Sequence, residues 1–206
     1  MSAIPPLTPR HAFAGHLEEA RPPRKVGDAE WHIAAESTQA EPCLDVQIAL
    51  FQPDIAANTA AVIRLAACLA VPLTIVEPCG FVWDERRVRR IGMDYLKHAR
   101  IERVASFASL QKARGAGTAR LVLLTTRASR PYYAVAYRPD DILLAGRESG
   151  GVPDMVHAAA DLRVRVPMAP GRRSLNVVTA LAMVLGEALR QTGGFVGDLA
   201  APSGAL

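Results

Sequence analysis

The sequence predicts an α/β domain with a parallel sheet covered on both faces. Three observations carry this: β-branched apolar runs alternate with helix-period segments, the connections are short, and several runs are apolar throughout, as strands buried on both faces are. The stretch DILLAGRESGGVP at residues 141–153 shows the unit most clearly. Its apolar run breaks at Gly146 into Arg147, Glu148, Ser149, Gly150 and Gly151, and Pro153 then fits the first turn of a helix. Ligands of α/β domains sit at such strand-to-helix turns.

Residues 1–43 hold six prolines and scattered charge with no period of 2 or 3.6, so they are expected to form a disordered extension. Within it, RPPRK at residues 21–25 reads either as a solvated charge run or as a contact for RNA phosphate. One regular domain is expected over residues 44–192, and a flexible tail over 193–206. DVQIALF at residues 45–51 alternates as a strand does. Asn58 or Thr59 is then predicted to cap a helix reaching about Ala70, because Val62, Ile63, Leu65, Ala66 and Leu69 form a wide apolar face. A strand follows at residues 71–76, and WDERRVRRIG has helical spacing from Trp83 to Ile91. RIERVAS reads as a short strand, SFASLQKAR as a helix, and ARLVLLTT at residues 119–126 as a buried strand. After the loop at 146–151 come a short helix past Pro153, a strand at 162–168, the loop APGRRSL, and an apolar helix from Asn176 to about Arg190. There is no internal repeat.

Composition narrows the classes. The chain has 206 residues, half of them apolar, which suits one good core. Its net charge of +4 and pI near 9.2 come mostly from arginine, the side chain suited to forked contacts with phosphate, so nucleic acid is a permitted partner. Cys43, Cys68 and Cys79 lack CxxC spacing, and no cysteine accompanies His11 and His16, so neither a disulfide scaffold nor a metal site is expected. No run approaches a membrane span and no signal peptide is evident, which places the expectation in the cytoplasm.

Several residues stand out chemically. Arg64 sits in the apolar helix VIRLAACLA without an acidic neighbour at helical spacing, so it either snorkels to solvent or serves a polar site. Asn58, six residues earlier, is either a plain cap or part of that site. The loop GRESGG is neither GxGxxG nor a P-loop, which leaves a tight turn or a ligand loop centred on Glu148. Ser174 is a natural helix cap, while Arg172 and Arg173 are either solvated or face an anion or RNA. A serine hydrolase is disfavoured because no GxSxG elbow is present. A paired-carboxylate hydrolase is weak, since Glu77 and Glu148 are the only acids at strand ends expected to converge.

In order and at these separations, the segments resemble the SpoU branch of the SPOUT RNA methyltransferases. A loop Asn followed six residues later by a helical Arg matches Asn58 and Arg64. A strand followed by G-x-E-x-x-G-[LVI] matches Gly146, Glu148, Gly151 and Val152, and a strand ending V-P-M, then a loop and S-L-N, matches residues 166–168 and 174–176. Within the branch, IVEPCGFVWDERRVRRIGMDY at residues 75–95 is similar to the signature of the small, single-domain TrmL-type subgroup, which methylates the wobble ribose of certain tRNAs. Ala60, Ala61, Arg147 and Gly186 depart from that subgroup's usual residues.

The resemblance implies a parallel-sheet SPOUT fold whose C-terminal part is threaded into a deep trefoil knot, a rarity under general folding rules. It implies a homodimer acting on tRNA with S-adenosylmethionine. The cofactor contacts it implies are Leu124, Gly146, Gly151, Val166 and Met168, then Ser174, Leu175 and Asn176. Arg64 becomes the catalytic residue, with Asn58 and Glu148 beside it, and Arg147, Arg172 and Arg173 become RNA contacts. No metal is implied.

Overall fold

A computed structural model of the chain describes residues 46–83, 99–114 and 119–195. The expectations for residues 1–43, for the charged segment after Trp83 and for most of the tail lie outside the described residues.

Six strands form one sheet in the order β3-β2-β1-β5-β4-β6, with every neighbouring pair parallel. In chain order the elements are β1 (Gln47–Phe51), α1 (Ala56–Cys68), β2 (Leu73–Val76), β3 (Ile101–Val104) and α2 (Phe107–Arg114). Then follow β4 (Leu121–Leu124), a 3₁₀ turn (Tyr132–Ala134), β5 (Ile142–Ala145), α3 (Asp154–Ala159), β6 (Leu162–Val164) and α4 (Val177–Thr192). Side chains alternate across each strand, and the four inner strands β1, β2, β4 and β5 are buried on both faces. Ile48, Leu50, Val122 and Leu143 pack with α1 and α4 through Val62, Ile63, Leu181 and Leu185. Ala49, Phe51, Leu121, Leu123 and Leu144 pack on the other face with Phe107, Leu110 and Val156 of α2 and α3.

Several boundaries differ from the sequence expectation, each for a local reason. Helix α1 begins before Asn58, with Ile55 at its cap position and no side-chain cap, so neither Asn58 nor Thr59 caps it. Thr59 instead donates its hydroxyl back to the Ile55 carbonyl at 3.3 Å, and Asn58 is committed elsewhere. Strand β2 starts only at Leu73, because Ala70 adopts a left-handed φ of 54° and Pro72 has no N–H to donate. Strand β6 ends at Val164, after which Arg165 bridges to Pro131 of the loop following β4. Helix α4 is capped by Asn176 and not by Ser174: the Asn176 side-chain Oδ1 accepts from the amides of Val178 and Thr179. Gly193, at φ 69°, closes its far end. Asn176→Ala is therefore expected to cost about 1 kcal/mol of stability in a urea titration.

Strand order decides where a ligand can sit. The chain runs outward from β1 to β2 and β3, then returns to build β5 and β4 on the other side of β1. The connections leaving the C-terminal ends of β1 and β5 diverge there, which opens the crevice expected at a topological switch point.

Candidate functional site

That crevice holds a cavity of about 560 Å³, within the range of small-molecule and cofactor sites. Three strand-end segments and one helix entrance wall it: residues 124–127 after β4, 145–152 after β5, 164–168 after β6, and 174–177 entering α4. Asn58 of α1 closes one side. Leu124, Val166, Met168 and Leu175 supply apolar surface, while Arg127, Arg147, Glu148, His157 and Arg165 bring charge or polarity.

The loop after β5 is held tight by its own backbone. Arg147 and Gly151 exchange N–H donors at 3.1 and 2.9 Å, and Gly151 takes a φ of 66° that favours glycine. A Cβ at Gly146 would stand 2.8 Å from the Gly151 carbonyl carbon and 2.9 Å from Val152 Cγ1, whereas beside Gly150 and Gly151 the space is open. Gly146→Ala is thus expected to destabilise the domain by about 1–3 kcal/mol through overpacking, read by chemical denaturation. Parental stability would mean the loop yields at no cost.

A chain of hydrogen bonds joins segments far apart in sequence. Asn176 donates its amide to Asn58 Oδ1 at 3.1 Å, and Asn58 donates its own to Glu148 Oε1 at 3.1 Å. Glu148 Oε2 accepts from the Asp54 amide at 3.1 Å, and Asp54 Oδ1 accepts from the Glu148 amide at 3.1 Å. The other Asp54 oxygen accepts from the Ser149 amide at 3.2 Å and from the Ser149 hydroxyl. Two carboxylates therefore bind each other's backbone, fastening the loop after β1 to the loop after β5.

This arrangement splits the two acids electrostatically. Hydrogen bonding with Glu148, helped by Ser149, holds Asp54 down to about 2, while burial, and then Asp54 itself, pushes Glu148 up. Because Asp54 titrates below its ordinary 3.8 when folded, its stabilising share is complete above that pH and fades as pH falls toward 2. Glu148 works in the opposite sense, its share being full below its ordinary 4.5 and lost as pH rises through its raised value. Asp54→Asn is expected to flatten the acid-unfolding curve between about pH 4 and 2, followed by circular dichroism. Curves parallel to the parent's would contradict the clasp.

Most residues singled out from sequence meet here. Asn58, Leu124, Gly146, Arg147, Glu148, Gly151, Val166, Met168, Ser174, Leu175 and Asn176 all line the cavity, while Arg64, Arg172 and Arg173 do not. Arg64 is exposed on α1, and six helical residues place it about 9 Å along the axis from Asn58 and some 120° around it. The expected convergence of Glu77 with Glu148 is not seen: Glu77 pairs with Arg103, and the acidic neighbour of Glu148 is Asp54. Sequence reasoning also passed over His157, which lines the cavity and whose imidazole burial, then Arg127, push below its usual value. Its position on α3, directly after the glycine loop, was the available signal.

Among the described residues, no group of three or more His, Cys, Asp or Glu could hold a metal ion, and no helix is long and apolar enough to cross a membrane. A relative from Beijerinckia indica subsp. indica, a tRNA (cytidine(34)-2′-O)-methyltransferase, is 52% identical over 159 residues, covering 77% of this chain and 99% of its own. A solved structure described as "Structural insights into the 2-OH methylation of C/U34 on tRNA" is 35% identical with a TM-score of 0.67, over 71% of this chain and 95% of that one. The SpoU methyltransferase AviRb from Streptomyces viridochromogenes, in complex with the cofactor AdoMet, is 25% identical with a TM-score of 0.64, over 71% of this chain and 60% of that one. Residues 45–186 match the SpoU rRNA Methylase family. The strand-end cavity, its ordered motif residues and this match over more than half of the sequence establish that the chain belongs to the SpoU rRNA Methylase family.

Proposed function

We propose that the chain transfers a methyl group from S-adenosylmethionine to the ribose 2′-hydroxyl of nucleotide 34, the wobble position of tRNA. The observation that carries the reading is the hydrogen-bonded chain from Asn176 through Asn58 to Glu148, which joins the three segments named by the family motifs around one cavity. The position on the tRNA comes from the named activity of the relative and from the solved structure.

The cavity suits the cofactor in size, with an apolar wall at Leu124, Val166, Met168 and Leu175 and open space beside Gly150 and Gly151. Gly146, Gly151 and Ser174 would hold it at the loop backbones. Bound S-adenosylmethionine supplies an electrophilic methyl on a sulfonium. A ribose hydroxyl is a weak nucleophile while protonated, so the protein must stabilise the negative charge that develops on its oxygen. Arg64 fits that role as a cation. Its guanidinium offers donors and no acceptor, so the hydroxyl proton passes to water. Asn58 and Glu148 set the wall against which the ribose lies, and Arg147, Arg172 and Arg173 meet RNA phosphate.

Arg64 stands outside the cavity of its own chain, so we further propose a homodimer in which one copy presents Arg64 to the cavity of the other. Helix α4 offers a seat for it, with Met183 39% exposed and open space beside Gly186. The trefoil knot and a cytoplasmic setting belong to the same reading. Incubation with tritiated S-adenosylmethionine and tRNA lacking 2′-O-methylation, followed by nucleoside mapping, tests it. One 2′-O-methyl nucleotide at position 34 is expected; its absence despite measurable cofactor binding would overturn the reading.

A further inference from the structure

Most arginines on this fold are engaged. Arg103 pairs with Glu77, Arg120 with buried Asp141, Arg127 with Asp154 and Arg190 with Glu187. Four guanidinium groups, those of Arg130, Arg165, Arg172 and Arg173, have no hydrogen bond or ion pair among the described residues. All four follow the C-terminal ends of β4 or β6, the end of the sheet that carries the cavity. A fifth, Arg138, lies at the opposite end, before β5. Free positive charge is thus gathered on one side of one site.

Two of these arginines are fixed beside each other by backbone. The Arg165 amide donates to the Arg130 carbonyl at 2.9 Å, and the Tyr132 amide donates to the Arg165 carbonyl at 2.9 Å. This prolongs the sheet edge past β6 into a ledge formed by residues 130–133 and 165. Tyr133 stands on it 60% exposed, with its ring edge-on to Tyr132 at 5.5 Å between centroids. Arg165 also lines the cavity, so the ledge runs into the site without a break.

We propose that Arg130, Arg165 and Tyr133 bind the single-stranded part of the substrate RNA next to the nucleotide held in the cavity. The proposal rests on the reading of the chain as an RNA methyltransferase. Guanidinium forks match phosphate oxygens, and an exposed aromatic face stacks on any base, so the ledge adds affinity without reading sequence. Arg172 and Arg173, on the loop that leads to α4, extend the same positive field.

Binding of a labelled anticodon stem–loop, followed by fluorescence anisotropy across a salt series without turnover, tests the ledge. Arg130→Ala and Arg165→Ala are each expected to reduce the slope of log affinity against log salt by about 0.7–0.9, and Arg130→Lys to keep it. Tyr133→Ala is expected to weaken binding roughly tenfold with the slope unchanged, while Tyr133→Phe binds as the parent does. Variants that keep the parental melting temperature, affinity and slope would overturn the proposal, as would arginine variants that lose affinity at the parental slope. If the parent binds the stem–loop with these variant effects yet transfers no methyl, the ledge stands and the methyltransferase reading falls.

Discussion

Arg64→Ala is expected to lower kcat for RNA methylation by about 10²–10³-fold while leaving S-adenosylmethionine affinity nearly unchanged. The split follows from position: Arg64 is exposed on α1 and lines no part of the cavity in its own chain, so the pocket loses nothing when it is truncated. On the proposed function, what is lost is a cation facing the charge that develops on the ribose oxygen. Calorimetric cofactor binding and single-turnover methylation read the two quantities separately. Equal loss of both would make Arg64 a structural residue of α1. Mixing Arg64→Ala with Gly146→Ala should restore activity, because one site of a mixed dimer then combines an intact pocket with an intact arginine. Failure to restore it, with mixed dimers demonstrated, would place both residues in one copy's site.

Glu148→Ala is expected to weaken cofactor binding by about 10–100-fold and to lower the melting temperature. Its carboxylate accepts from Asn58 and from the Asp54 backbone, and losing it leaves both donors without that partner. Hydrogen bonds to charged groups contribute about 1.5–3 kcal/mol each, and half-burial puts these toward the lower end. The loop that walls the cavity should then lose its tie to α1 and, through Asn58, to the cap of α4. Glu148→Gln keeps the shape and one acceptor, so an intermediate loss is expected. Parental affinity in the alanine variant would show that the loop holds its form through the Arg147–Gly151 backbone pair and the Asp54 carboxylate, which still accepts from the amides of residues 148 and 149.

Much of this architecture can be read from residues. Continuous runs such as LVLL and ILLA mark strands buried on both faces, and the glycine break after Ala145 marks the ligand loop, because local sequence dictates both. Strand order is different: nothing in the runs says that β5 lies between β1 and β4, since side-chain periodicity is blind to neighbours. The same gap hid Asp54. It belongs to no motif, and its partners Glu148 and Ser149 lie 94 and 95 residues away, brought close only by the switch in strand order. Asn58 was legible as a residue at the start of a helix but not as a tertiary link, for its side chain serves Glu148 and Asn176 while α1 begins uncapped. Arg64 was legible as an odd cation on an apolar helix, whereas its place outside the cavity needed the orientation of α1 against the sheet.

The central claim is that the tied loops present one ribose 2′-hydroxyl to the methyl donor. A tRNA carrying 2′-deoxyribose at nucleotide 34 alone, compared with its ribose counterpart under saturating S-adenosylmethionine, tests it most directly. Oligonucleotide mass spectrometry should find one added methyl at nucleotide 34 of the ribose substrate and none in the deoxy substrate, with both RNAs bound equally well. A methyl group on the deoxy substrate, at that nucleotide or any other, would contradict the account.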